Sequence, residues 1–145
     1  MSPRRNVYLV DTDVISELRK KDKANPRVAA FFKDAAARDA PLYLAALTIG
    51  ELRRGVELIR YRGDARQAHL LERWLDGLLE QYSDNVLAFD ADAAQVWGRL
   101  RVPHPENPLD KQIAATALVY DLVLVTRNLK HFASTGVKLL DPFAG

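Results

Sequence analysis

Three carboxylates in this chain stand where an apolar element begins or ends. Asp11 follows Val7-Tyr8-Leu9-Val10, Glu51 opens a helical pattern, and Asp110 follows Asn107-Pro108-Leu109. Four apolar, mostly β-favouring residues that run into Asp11-Thr12-Asp13 read as a fully buried strand stopping at a polar site. In α/β sheets ligands bind outside the carboxyl ends of strands, so strand order can gather several such ends into one mouth. Carboxylates gathered there repel one another, and a hard cation relieves the repulsion. Oxygen ligands without cysteine or paired histidines point to Mg²⁺ or Mn²⁺. Such an ion keeps several waters, favours phosphate oxygens and lowers the pKa of a bound water, which makes metal-assisted phosphodiester hydrolysis the economical reaction. Thr126 and Asn128, after the apolar run 122–125, could place that water or hold the phosphate.

Each of these residues also has a plain structural explanation. Thr12 or Asp13 can cap the helix that follows, Thr48-Ile49-Gly50-Glu51 has the form of a capping box, Asp110 holds the matching place after Asn107-Pro108, and Asn128 can cap a short helix over 129–132. Taken singly each acid reads as a cap; taken together they read as a site. Asp90 and Asp92 start the helix that contains Trp97, and His69, His104 and His131 lack metal-ligand spacing and read as surface residues.

The elements that must position these groups alternate between strand and helix. After the strand 7–10 comes a short helix over 13–20. Asn25-Pro26 then starts a helix with Val28, Phe31, Phe32 and Ala35 inward, closed by Pro41. A strand at 42–44 precedes a third helix opened by the Thr48 box, with Leu52, Val56 and Ile59 as its buried stripe. A turn at Arg62-Gly63-Asp64 leads to the longest helix, 65–81. Its apolar band, Leu70, Leu71, Trp74, Leu75, Leu78 and Leu79, is wider than one sheet face needs. A strand at 86–89, helices over 93–100 and from Asn107-Pro108 onward, and strands at 122–125 and 137–140 complete the alternation. This pattern predicts a three-layer α/β domain with a mainly parallel central sheet flanked by helices.

At 145 residues the chain fits one domain, 1–145, long enough for an ordinary core without staples. With 48% hydrophobic and 28% charged residues it has the composition of a soluble globular protein. The absence of cysteine excludes a disulfide framework and a thiolate metal site, and points to the cytoplasm. Arg4-Arg5 before the first strand superficially imitates a secretion signal, but the apolar run is too short and ends at Asp11. Net charge is only +2, with basic residues clustered at 19–23, 53–54 and 60–66. Such clusters could follow a phosphate backbone, although cations at helix ends also answer the helix dipole.

Several segments match one family in order. Leu9-Val10-Asp11-Thr12-Asp13-Val14-Ile15-Ser16-Glu17-Leu18, Thr48-Ile49-Gly50-Glu51-Leu52-Arg53-Arg54-Gly55, Leu109-Asp110-Lys111-Gln112-Ile113-Ala114-Ala115-Thr116-Ala117 and Leu124-Val125-Thr126-Arg127-Asn128 resemble the signatures of PIN-domain ribonucleases. More narrowly, the chain resembles VapC toxins of bacterial toxin–antitoxin modules, the FitB-like branch, nearly end to end. The resemblance implies that Asp11, Glu51 and Asp110 bind metal, that Asn128 stands where many members carry a fourth acid, that Thr126 is the site hydroxyl, and that Ser16 lines the site. Asp13 stands where asparagine is usual, and both Asp13 and Ser16 are expected to support the ligands from behind. With asparagine at 128 one firmly bound ion is expected. The resemblance further implies a homodimer, a VapB-type antitoxin whose C-terminal segment lies over the active groove, operator DNA bound only through that antitoxin, and a structured RNA such as transfer RNA as substrate. The apolar band on 65–81 and the face around Val56 and Ile59 are the candidate contact surfaces.

Two other readings compete. Apolar strand then Asp11-Thr12-Asp13-Val14 imitates the nucleophile motif of haloacid-dehalogenase-type phosphatases, but the acidic pair that such enzymes need after a late strand is replaced by Thr126-Arg127-Asn128. The other is a non-catalytic module whose acidic mouth receives a basic side chain of an antitoxin.

Overall fold

The computed structural model describes residues 6–144, so Arg4-Arg5 lie outside the described residues. The elements run β1 (Tyr8–Val10), α1 (Thr12–Ile15), a 3-10 segment (Ser16–Lys23), α2 (Pro26–Ala37), β2 (Leu42–Ala45), α3 (Ala46–Tyr61), α4 (Ala65–Gln81), β3 (Val86–Leu87), α5 (Ala91–Leu100), α6 (Pro108–Val119), β4 (Val123–Val125), α7 (Leu129–Phe132) and β5 (Leu139–Leu140). The strands form one sheet in the order β3-β2-β1-β4-β5, and every pairing is parallel. Parallel strands bury both faces, and β1 shows it. Tyr8 and Val10 join the core beneath α2, α3 and α4, while Leu9 between them joins the core shared with α6 and α7. The three-layer reading is borne out.

Chain order reverses direction across β1. The first crossover carries the chain to β2 on one side, and β4 returns on the other. This is the topological switch point of an open parallel sheet, where the carboxyl ends of β1 and β4 part to leave a crevice. Asp11 and Thr126 are the residues that immediately follow those two strands.

Several expected boundaries moved for physical reasons. The helix expected over 13–20 is one turn of α-helix followed by 3-10 geometry, broken at Lys21 (φ 53°). There Glu17 Oε1 accepts the Asn25 N–H (2.8 Å) and folds the chain back toward α2. Asn25 caps α2 as expected, accepting from Arg27 N and Val28 N. That helix ends at Ala37 rather than at Pro41, because Asp39 adopts a left-handed conformation (φ 50°) and Ala40 N donates to Ala35 O (2.9 Å). Strand β3 stops at Leu87, two residues before the expected end, and β5 is only Leu139–Leu140. The longest helix has the expected bounds.

The wide apolar band on α4 divides in two. Leu75 and Leu78 are core, Leu71, Trp74 and Leu79 are partly buried against it, and Leu70 is 54% exposed. Across the α3–α4 seam Arg53 pairs with Glu72 (2.6 Å) and Arg60 with Glu72 (3.1 Å), while within α3 Arg60 also pairs with Glu57 (2.5 Å). Two of the basic residues that could follow a phosphate backbone are therefore engaged in ion pairs. No helix among the described residues is long and apolar enough to cross a membrane. The division of the band predicts that Leu75→Ala lowers unfolding free energy in urea titrations by about 2–5 kcal/mol. Leu70→Lys is expected to change it by less than about 0.5 kcal/mol.

Candidate active site

Asp11 closes β1 and caps α1. Its backbone N–H donates to Val125 O (2.9 Å), which ties it to β4, and its side chain points into the crevice at the switch point. Both carboxylate oxygens are engaged: Oδ1 accepts from Thr12 N (2.8 Å) and Oδ2 from the Thr126 hydroxyl (2.8 Å). The cap of α1 is thus Asp11 itself, not Thr12 or Asp13. Burial pushes the Asp11 carboxyl up to about 7, the neighbouring charge of Asp13 pushes the same way, and Asp110 adds a smaller push. The bonds from Thr126 and Thr12 pull against this without cancelling it. Asp110, remote in sequence, is thereby placed within electrostatic reach of Asp11.

Asp13 sits beside it, with Oδ2 accepting from Arg127 N (3.1 Å). Its Oδ1 is buried and makes no hydrogen bond. Burial raises this carboxyl also. An unpartnered buried carboxylate oxygen is costly, and next to a second buried acid it marks a place that favours a cation.

Glu51 is brought in by a residue to which the sequence assigns no more than a cap. The Thr12 hydroxyl donates to Glu51 Oε1 (2.8 Å) and lies 3.2 Å from Thr48 Oγ1. A hydroxyl has one proton, so with that proton on Glu51 the second bond must come from Thr48. The capping-box reading of Thr48 and Glu51 is overturned. Helix α3 starts at Ala46 directly from β2, with no side-chain cap, so Thr48 is already inside the first turn, fully buried and turned toward Thr12. Thr12 signals this role only in that its hydroxyl lies between two acids of the strand end.

Asp110 is in the first turn of α6, but neither it nor Asn107 makes the expected cap. Asn107 is left-handed (φ 54°) without a side-chain bond, and Asp110 Oδ2 lies 2.7 Å from His131 Nδ1. His131 reads from the sequence as a plain surface residue; it is 46% exposed, yet it touches a candidate ligand. The start of α6 is fixed instead by Trp97 Nε1, which donates to Pro108 O (2.8 Å), and by Lys111. Lys111 is only 1% exposed, and its ammonium donates to the carbonyls of His104 and of Glu106, clamping the link before Asp110. The sequence signal is a lone lysine in a helix that buries nearly every side.

Thr126 and Asn128 separate in role. The Thr126 hydroxyl is fully buried, donates to Asp11 and accepts the Asn128 N–H (3.1 Å), so it holds Asp11 and cannot reach a phosphate. Asn128 is exposed and its side chain makes no capping bond, which leaves its amide available at the rim. Ser16 donates to Asp13 O (3.3 Å) and, with Thr12 and Glu51, lines a cavity of about 240 Å³ that continues between α3 and α4. Its further walls include Arg19, Val56 and Trp74. Asp90 caps α5 as expected, accepting from Ala93 N, and His69 and His104 are not among the residues that build the crevice.

Among the described residues no three histidine, aspartate or glutamate side chains stand close enough together to hold a metal ion, so the expected trio of Asp11, Glu51 and Asp110 does not form a ready-made ligand set. The donor set nonetheless fits a hard cation held by one or two carboxylates and completed by water: oxygens only, one of them orphaned, around an acid that resists ionisation.

A fold that places clustered acids at the switch point of a five-stranded parallel sheet has a counterpart among known proteins. The sequence profile of the PIN domain matches residues 8–138, and the chain belongs to that family. It is 31% identical over 142 residues to toxin FitB of Neisseria gonorrhoeae, covering 94% of this chain and 99% of the relative. It is 30% identical over 143 residues to the VapC ribonuclease Y4jK of Sinorhizobium fredii, covering 94% and 98%. The solved structure of FitAB bound to an IR36 DNA fragment matches with a TM-score of 0.83 at 28% identity, covering 96% of this chain and 97% of that one. The family expected from the four motifs is the family found.

The raised Asp11 carboxyl has a thermodynamic consequence. Its folded pKa of about 7 lies above the ordinary 3.8, so the folded state holds this proton more tightly than the unfolded chain does. The contribution of Asp11 to stability is therefore fully present below about pH 4 and is lost as pH rises toward 7, by on the order of a few kcal/mol. In metal-free buffer Asp11→Asn should be more stable than wild type at pH 7. Chemical denaturation at the two pH values should show that advantage shrinking toward zero near pH 4.

Proposed function

We propose that this chain is a single PIN domain, 1–145, that acts as the toxin of a VapBC-type toxin–antitoxin module: a Mg²⁺- or Mn²⁺-dependent endoribonuclease of the cytoplasm. The observation that carries the reading is the buried Asp11 carboxylate, held by Thr126 at the switch point with Asp13 and Asp110 acting on it electrostatically. The names of the relatives, a toxin and a ribonuclease over nearly their full length, support the same reading.

Asp11, Glu51 and Asp110 would hold the ion. When bound, it supplies an activated water and offsets charge on the scissile phosphate. The chain's own residues do the rest. Thr126 and the Thr12 N–H each occupy one lone pair of the Asp11 carboxylate, which leaves one lone pair on each oxygen to take a ligand. Thr12 and Thr48 hold Glu51 in place. Asp13 and Ser16 brace the turn behind the ligands. Asn128, at the exposed rim, meets the phosphate or the attacking water. With an amide rather than an acid there, one ion is held firmly. The substrate is structured RNA such as transfer RNA, and the active form is a homodimer.

The cavity that runs from Glu51 between α3 and α4 is where the C-terminal segment of a VapB-type antitoxin would lie, its basic side chain against the acids and its apolar side on Val56 and Trp74. Operator DNA would be bound through the antitoxin, in keeping with the FitAB complex, which is bound to a DNA fragment. The same cavity favours a second reading, a catalytically weak module that serves only to bind antitoxin and operator.

Partner-free protein incubated with RNA and added Mg²⁺ or Mn²⁺ separates the two. Cleavage that falls at least about 100-fold in Asp11→Ala and Asp110→Ala, with circular dichroism unchanged, supports the nuclease. An inert wild type supports the binding module.

A further inference from the structure

We infer that His131 is a positioning residue for the proposed metal centre, fixing which oxygen of Asp110 faces the ion. The inference rests on the metal-dependent reading above and adds a residue to it. His131 Nδ1 and Asp110 Oδ2 lie 2.7 Å apart, a short contact between helices α7 and α6. With Asp110 ionised, as binding a cation requires, the ring donates through Nδ1 and Asp110 sets its tautomer. One lone pair of Asp110 Oδ2 is thereby taken, and Oδ1 is the less engaged oxygen to meet a ligand.

The ring is held from behind. The next residue, Phe132, is fully buried and belongs to the same core as Ile113, Ala114 and Ala117 of α6. His131 N also donates to Asn128 O (3.0 Å), so the turn that carries Thr126 and Asn128 also carries the group that orients Asp110. Thr126 acts on Asp11, and His131 acts on Asp110, from opposite ends of one short stretch, 126–132. The two acids are thus aligned by a single segment after β4. Carboxylates that bind metal are commonly held in this way, and loss of the partner weakens metal affinity about 10–100-fold.

The test is Mn²⁺ binding to the partner-free full chain, read from the free-Mn²⁺ electron paramagnetic resonance signal, with thermal melting of each protein in chelator. His131→Ala is expected to weaken Mn²⁺ binding about 10–100-fold. His131→Asn, whose amide nitrogen can replace Nδ1, is expected to recover most of it, while all three proteins melt alike without metal. Equal Mn²⁺ affinity in His131→Ala and wild type overturns the inference while leaving the metal reading intact. So does a failure of His131→Asn to bind better than His131→Ala. A wild type that binds no Mn²⁺ overturns the metal reading and this inference together.

Discussion

The electrostatic cost of enclosing Asp11 is the constraint on which the rest of this structure turns. A carboxylate removed from water must find hydrogen bonds, a counter-charge or a proton. Asp11 finds two hydrogen bonds, from Thr126 and from the Thr12 N–H, but its nearest charged influence is another acid, Asp13, with Asp110 beyond. The result is a group near the midpoint of its titration at neutral pH in the absence of a cation. Structures keep an arrangement of this kind where a ligand completes it, and they give up stability to do so.

The scaffold tolerates that loss because the two cores on either side of the sheet are complete without the acids. β1 contributes to both, with Tyr8 and Val10 on one face and Leu9 on the other, so the strand that ends in Asp11 is firmly bedded on both sides. The β2-to-α3 junction has no loop, and this places Thr48 and Glu51 opposite Thr12. Trp97 and the buried ammonium of Lys111 fix the start of α6 and with it Asp110. Three separate elements are thus each locked by a different kind of contact. By comparison, the Arg53, Arg60 and Glu72 network on the outer helices lies at partly exposed positions and adds little to stability.

The sequence displayed the fold class and the strand-end acids, because both rest on local patterns: an apolar run that stops at a carboxylate, and a 3.6-residue stripe such as that of α4. It misled wherever a local pattern met a tertiary override. Thr48-Ile49-Gly50-Glu51 has the form of a capping box, yet α3 begins earlier at Ala46, since alanine at 45 and 46 leaves nothing to stop the helix from extending back to the strand. Pro41 has the look of a helix stop, but an aspartate in the left-handed conformation ends α2 first. The sequence leaves Thr126 free to meet substrate, and only the fold shows its hydroxyl turned inward to Asp11. The contact between His131 and Asp110 joins two helices by a pairing that no spacing rule encodes, and Thr12 is hidden by the acids on either side of it.

Site and groove share residues. Thr12 and Ser16 belong both to the acidic crevice and to the cavity between α3 and α4, so a segment seated in the cavity would reach Glu51 without crossing open solvent. Under the proposed function, this continuity would let one surface serve an RNA-cutting centre and its inhibitor. The central claim, that the acids at the switch point form a cation site, is tested most directly by anomalous diffraction from crystals grown with Mn²⁺. The account predicts one strong peak in the crevice, bonded to Asp11 and reached by Glu51 and Asp110 directly or through water. A crevice without a peak at saturating Mn²⁺, or a peak bound only to other surface carboxylates, would contradict it.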